Sequence, residues 1–196
     1  MYLKLPLIGA LAVGIAMSAN DAAAAGNPQV AIETSMGKIV VELYPDKAPK
    51  TVANFLKYVE DGFYAGTIFH RVIGTFMIQG GGFTEDLYQG NLKTKSGNPP
   101  VEIESQNGLK NDKGWMAMAR TSDPNSATSQ FFINTADNDN LNYPSFDGHG
   151  YAVFGKVIEG LDVVGKIAAV ETNRVGPLDD VPTEIVKIEG ATKVGQ

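Results

Sequence analysis

The sequence predicts a mainly β domain of many short antiparallel strands with two isolated helices, arranged as a closed barrel or a sandwich. Three observations carry that expectation. Apolar and polar residues alternate early in the chain, through Val30, Ile32 and Thr34 and again through Ile39, Val41 and Leu43. Between Thr67 and Phe154 short apolar runs are separated by Gly, Pro, Asn and Asp. Helical spacing of apolar residues occurs from Pro49 and again from Leu161.

The first segment reads as an address. Met1 to Lys4 precede an apolar run, Leu5 to Met17, too short to span a bilayer as a helix. Ala22-Ala23-Ala24-Ala25 follows, with Ala23 and Ala25 in the small-x-small pattern read by signal peptidase. Residues 1–25 are expected to be a signal peptide and 26–196 the mature domain. That leaves 196 − 25 = 171 residues, enough for one domain with a sizeable core.

The elements then follow in order. The alternating runs on either side of Met36-Gly37 form a hairpin. Pro45 and Pro49 stop the second strand, and Pro49 suits the first turn of a helix. Val52, Phe55, Leu56 and Val59 make one apolar stripe that ends at Gly62. Candidate strands are Ile68 to Val72, Phe76 to Gln79, Val101 to Glu104, Trp115 to Ala119, Phe131 to Asn134 and Val153 to Val157. Leu161, Val164, Ile167 and Ala168 share a face of a second helix, Leu161 to Val170. Thr183 to Glu189 closes the chain as an alternating strand, and Trp115 and Phe131 read as core.

Composition narrows the chemistry. The net charge is −6, and Lys4 and Asp21 cancel, so the mature chain keeps it. Without a Lys/Arg block, nucleic acid and anionic membrane surfaces are poor partners, and no stable membrane association is expected after processing. Cysteine is absent, which excludes thiol chemistry and zinc-thiolate sites. His70 and His149 are the only histidines, too few for most histidine-based metal sites.

The segment richest in chemistry runs from Phe69-His70-Arg71-Val72 through Phe76-Met77-Ile78-Gln79 to Gly80-Gly81. An arginine among apolar residues is costly to bury unless its donors are satisfied. It could be clamped by a surface carboxylate, or it could face a ligand. Regular alternation sends Met77 and Gln79 one way and Phe76 and Ile78 the other, and turns His70 away from Arg71 as packing. A serine hydrolase lacks support, since no Gly-x-Ser-x-Gly elbow is present and Asp147-Gly148-His149-Gly150 reads as a turn. Asp137, Asp139 and Asp147 do not fit a calcium-binding loop and read as a solvated acidic loop.

That run resembles the signature of the cyclophilin family, as does Ser129-Gln130-Phe131-Phe132-Ile133. Gly114 to Arg120 is similar to the family's cleft-lining strand and loop, Pro49 to Phe55 to its first helix, and Tyr151 to Val157 to its late strand. Five matches in order, from Val30 to about Gly190, leave little room for coincidence. The resemblance implies a closed eight-stranded antiparallel β-barrel capped by two α-helices, with peptidyl-prolyl cis/trans isomerase activity and no cofactor. It makes Arg71 the catalytic residue. Phe76, Met77, Phe132 and Leu141 would hold the proline ring. Gln79 and Gln130 would line the cleft, with Gln79 orienting Arg71. The backbone of Ala119, Arg120 and Thr121 would pair with an extended peptide, and Tyr151 would occupy a further pocket position. Partners would be proline-containing unfolded or partly folded polypeptides, and the chain a monomer.

Departures from the family pattern matter as well. Asn140 stands where many members carry a tryptophan linked to tight cyclosporin binding, so that affinity is expected to be weak. Phe146 is a candidate for the missing aromatic wall. Arg120 stands where asparagine is common, with little effect expected because contacts there run through the backbone. The stretch Asn142 to Gly150 resembles the bacterial exported branch, which favours the periplasm over secretion. A non-catalytic proline-peptide-binding chaperone on the same scaffold is the alternative. It leaves the joint presence of Arg71, Phe76, Gln79 and Phe132 without a reason.

Overall fold

The computed structural model describes residues 26–195, so the expected signal peptide lies outside the described residues. Strands β1 (Gln29–Thr34) and β2 (Gly37–Leu43) form the expected hairpin. Gly37 turns it at φ +129, and a Cβ there would stand 2.9 Å from Val163, so glycine serves both the bend and the packing. Helix α1 (Pro49–Glu60) starts on its proline without a side-chain cap from Ala48. The Glu104 carboxylate serves instead, accepting from the Lys50 and Thr51 N–H groups at 3.1 and 2.8 Å. It thereby satisfies donors that the helix leaves open.

This explains one failed expectation. Val101 to Glu104 is not a strand; it makes a single bridge, Val101 to Ala127. Its backbone and side chains are committed elsewhere, with the Ile103 N–H on Asn125 and Glu104 on α1.

The remaining elements are β3 (Thr67–Ile73), β4 (Met77–Thr84), β5 (Trp115–Met118), β6 (Phe131–Asn134), β7 (Val153–Glu159), α2 (Leu161–Ala168), β8 (Thr172–Val175), β9 (Leu178–Pro182) and β10 (Lys187–Lys193). Eight strands close a barrel in the order β1-β10-β3-β4-β6-β5-β7-β2, which decides between barrel and sandwich. The last strand lies further along than expected. The chain before it is taken by β8 and β9, a separate two-stranded sheet. Thr172, Asn173 and Arg174 of β8 are exposed, so no apolar alternation announces that hairpin.

One cluster fills the barrel. Ile32, Ile39, Phe69, Ile78, Met116, Phe131, Ile133 and Phe154 meet there. Helix α1 adds Val52, Phe55, Tyr58 and Val59, and α2 adds Val163, Val164 and Ile167. The stripe of α2 is rotated from the expected one, for Leu161 is 46% exposed and Val163 takes its place. Trp115 is half-buried rather than core, with its ring against Tyr44 and under the Lys156 ammonium.

Strand β3 departs from regular alternation at its centre. Phe69 pairs with Gly80 and Arg71 with Gln79, so His70 is an extra residue without a partner on β4. Such a bulge re-aims the side chains that follow. Val72 still joins the core, and Arg71 emerges opposite Gln79. His70 packs as expected, buried edge-on against Phe83 at 4.7 Å.

Candidate active site

Strand alternation that sends Ile78, Met116, Phe131 and Ile133 inward sends Met77, Ala117 and Phe132 outward. These three bury themselves outside the barrel in a second cluster with Leu141 and Val153. The cluster floors a cleft of 140 Å³ lined by Arg71, Phe76, Met77, Gln79, Ala119, Arg120, Phe132, Leu141 and Tyr151. Every expected site residue except Thr121 and Gln130 is in that lining. A larger hollow of 530 Å³ lies beside α2, lined by Lys113, Asn134, Thr135 and Asp162 among small and apolar residues, and contains none of the expected site residues.

Phe76 and Met77 share the cleft although alternation would part them. Phe76 precedes β4, in a turn closed by its N–H on the Ile73 carbonyl at 2.8 Å. Its own carbonyl accepts from Asn138 Nδ2 at 2.8 Å. Asn138 belongs to a carboxamide network that sequence reasoning missed. Asn138 Nδ2 also donates to Asn134 Oδ1 at 2.7 Å, Asn134 Nδ2 to Asn111 Oδ1 at 3.3 Å, and the Asn111 N–H to Asn142 Oδ1 at 2.7 Å. Asn111, Asn134 and Asn138 are all buried. The network ties the Phe76 turn to the segment that carries Leu141, and so holds opposite sides of the pocket. Asparagine reads as a turn residue in sequence, which hid this role.

Gln79 stands opposite Arg71 across the β3–β4 pair, but among the described residues it makes no hydrogen bond to the guanidinium. Its Nε2 donates to Gln130 Oε1 at 3.0 Å, and Gln130 lies flat over Gly82, where any Cβ would overlap its side chain. The carboxylate beside Arg71 is Asp180 of β9, with Oδ2 at 3.5 Å from Nε. At 43% side-chain exposure Arg71 is solvated as well as paired. The surface clamp open from sequence is present, and the clamped residue still lines the cleft.

Arg120 is more deeply built in than expected. Its side chain is 3% exposed and ion-paired with Asp147. Its Nε and Nη2 donate to the Gly150 carbonyl at 3.0 and 2.7 Å, and Nη1 to the Thr121 carbonyl at 3.0 Å. The guanidinium lies 4.5 Å from the Tyr151 ring centre, and Tyr151 meets Phe132 edge-on at 5.6 Å. The pocket wall is thus a stack of Arg120, Tyr151 and Phe132. The Arg120 hydrogen bond, with those from the His149 and Gly150 N–H groups, holds the Asp147 carboxyl well below the usual carboxylate range. Phe146, the candidate aromatic wall, is 80% exposed and absent from the lining.

Thr121 lies at the exposed rim, where its N–H donates to Ser126 Oγ at 2.9 Å. The Ala119 N–H is spent on the Gln130 carbonyl at 3.0 Å. Among the described residues the Arg120 N–H is the one of the three left open to an extended ligand.

Residues 29–193 match the family model described as cyclophilin type peptidyl-prolyl cis-trans isomerase/CLD. The chain belongs to the cyclophilin family. It is an enzyme, a peptidyl-prolyl cis-trans isomerase. Peptidyl-prolyl cis-trans isomerase B of Escherichia coli is 53% identical over 165 residues, covering 83% of this chain and 98% of its own. The Streptomyces antibioticus isomerase cyp18 is 55% identical over 168 residues, covering 85% of this chain and 98% of its own. Among solved structures, a Cryptosporidium parvum cyclophilin superposes with a TM-score of 0.70 at 26% identity, over 87% of this chain and 99% of that one. That cyclophilin has also been crystallised in the presence of the dipeptide Ala-Pro, with a TM-score of 0.69 at 27% identity, over 86% of this chain and 99% of that one. The cyclophilin barrel and its helices agree with the architecture described above.

Proposed function

We propose that this cyclophilin accelerates X-Pro rotation by placing Arg71 beside a proline ring held in the outer pocket. The supporting observation is that Arg71 shares one small cleft with Phe76, Met77, Phe132 and Leu141. An X-Pro bond interconverts over tens of seconds because amide resonance imposes a barrier of about 18–20 kcal/mol. Twisting the bond removes conjugation, and the proline nitrogen becomes pyramidal with a usable lone pair. A cation that donates a hydrogen bond to that nitrogen binds the twisted state better than either planar one. Arginine suits the task, since it stays charged and holds its donors in a rigid fork. Phe132 and its neighbours fix the ring and exclude water. No covalent bond forms or breaks, so the step uses no nucleophile. Isomerisation of a short X-Pro peptide by the wild type and by Arg71→Ala tests the reading.

The substrates on this reading are proline-containing polypeptides met during the folding of exported proteins, in a periplasmic compartment. The Ala23-x-Ala25 site supports export. Protein recovered from an exporting host is then expected to begin near Gly26. N-terminal sequencing that finds Met1 on soluble, active material removes the export proposal.

Cyclosporin is expected to inhibit weakly. Asn140 is exposed and offers no indole beside Leu141. Asn140→Trp should lower the inhibition constant. A tight wild-type constant that this substitution leaves unchanged would show that the ligand does not use this position.

A further inference from the structure

The β8–β9 hairpin stands outside the barrel but is anchored to it. Val181 is buried with Ile68 and Leu87, and Val175, Leu178, Phe83 and Tyr88 pack on them. The Tyr88 hydroxyl donates to the Pro182 carbonyl at 2.7 Å. Within the hairpin Asn173 pairs with Val181 and Val175 with Leu178. Arg174 alone therefore faces both Asp179 and Asp180, a bulge on β9. Asp180 sits at φ +61, in the left-handed region that residues with a Cβ rarely adopt. The two carboxylates then part company. Asp179 pairs with Arg174 at 3.6 Å, and Asp180 reaches Arg71 Nε at 3.5 Å.

A strained, bulged acidic residue on a well-anchored hairpin is a device for aiming a side chain. Among the described residues Arg71 has no other ion pair. We infer that Asp180 is a positioning residue, holding the Nε edge of Arg71 so that the remaining guanidinium donors are presented to the cleft. This rests on Arg71 being the catalytic group. A long arginine side chain loses rotamer freedom when it is ordered, and an ion pair formed before substrate arrives removes that loss from the catalytic step. At side-chain exposures of 43% and 36% the pair adds little to stability, so its effect belongs in turnover.

Two substitutions separate the charge from the strain. Asp180→Asn keeps a residue that tolerates the left-handed conformation and removes the charge. Asp180→Gly removes the carboxylate and relieves the backbone. On an X-Pro peptide each is expected to lower kcat by about three- to tenfold with KM little changed, because only the transition-state donor loses its alignment. Asp180→Asn should unfold at the wild-type temperature. Combined with Arg71→Ala it should lose nothing beyond that single substitution. In the wild type the Arg71 Nε–H should exchange with solvent more slowly than that of free arginine, a reading that does not require any variant to fold. Wild-type kcat in both Asp180 variants overturns the inference, as does an equal further loss in the Arg71→Ala background or exchange as fast as free arginine. Full activity of Arg71→Ala itself would remove the catalytic premise, and is distinguishable because it needs no Asp180 variant.

Discussion

Arg71→Ala is expected to lower kcat/KM for an X-Pro peptide by about 10²–10³-fold, roughly 3–4 kcal/mol, the loss seen when one preorganised transition-state donor is removed. The fold should be indifferent. The Arg71 side chain is 43% exposed on the outer face of β3, so truncation opens no cavity in the barrel. The partner carboxylate, itself 36% exposed, is left in water rather than stranded in the core. Arg71→Lys should restore part of the rate, since an ammonium keeps the charge but lacks the planar fork. Thermal unfolding alongside kcat/KM separates the two effects. Wild-type unfolding with activity within about threefold of wild type, far short of the expected loss, would refute Arg71 as the catalyst.

The second large effect concerns stability against pH. Burial pushes His70 down from the ordinary 6.5 to about 4, and the neighbouring Arg71 cation acts in the same direction. Among the described residues its Nδ1 has no hydrogen-bond partner. The folded chain therefore holds this imidazole neutral where the unfolded chain takes up a proton. Stability is whole above pH 6.5, declines as pH falls towards about 4, and loses nothing more from this group below that. The full interval corresponds to about 3 kcal/mol. Carboxylates held low, Asp147 by Arg120 and Glu102 by Lys50, lose their contribution only below the ordinary carboxylate range. The stretch between the two ranges thus isolates His70. Urea midpoints at about pH 7 and pH 5 should differ in the wild type and converge in His70→Leu. Equal pH slopes in the two proteins would remove the assignment.

Much of the fold was legible because the residues that fill the barrel recur at period two along most of its strands, although the outward residues of several strands are buried as well. The β1–β2 hairpin and the cores of β3 to β7 are written in that period, and α1 in the 3.6-residue spacing of its apolar stripe. The β8–β9 hairpin was not, since it buries apolar residues mainly along β9 and leaves most of β8 in water. The cleft lining was accessible through family resemblance, whereas the interactions that support it were not. Arg120, Asp147 and Gly150 meet across a loop, Asn134 and Asn138 pair with residues far along the chain, and Asp180 reaches Arg71 through a bulge. None of these leaves a periodic trace. The bulge at His70 is a similar case, for alternation alone puts Arg71 in the wrong phase.

Barrel closure has a consequence for the order in which the chain can fold. Strand β1 is hydrogen-bonded to β10 along Val30 to Thr34 and Ile188 to Lys193, so the first strand completes the ring against the last. A chain growing from its N-terminus can form the β1–β2 hairpin at once, but β1 keeps a bare edge until the final strand is available. Such an edge is a template for unwanted pairing, and the long loop that must close before β10 docks makes this step slow on topological grounds. Deleting β10 would leave β1 and β3 each with an unpaired edge. Loss of the seven residues of β10 alone, Lys187–Lys193, would therefore open the sealed ring into a sheet prone to self-association.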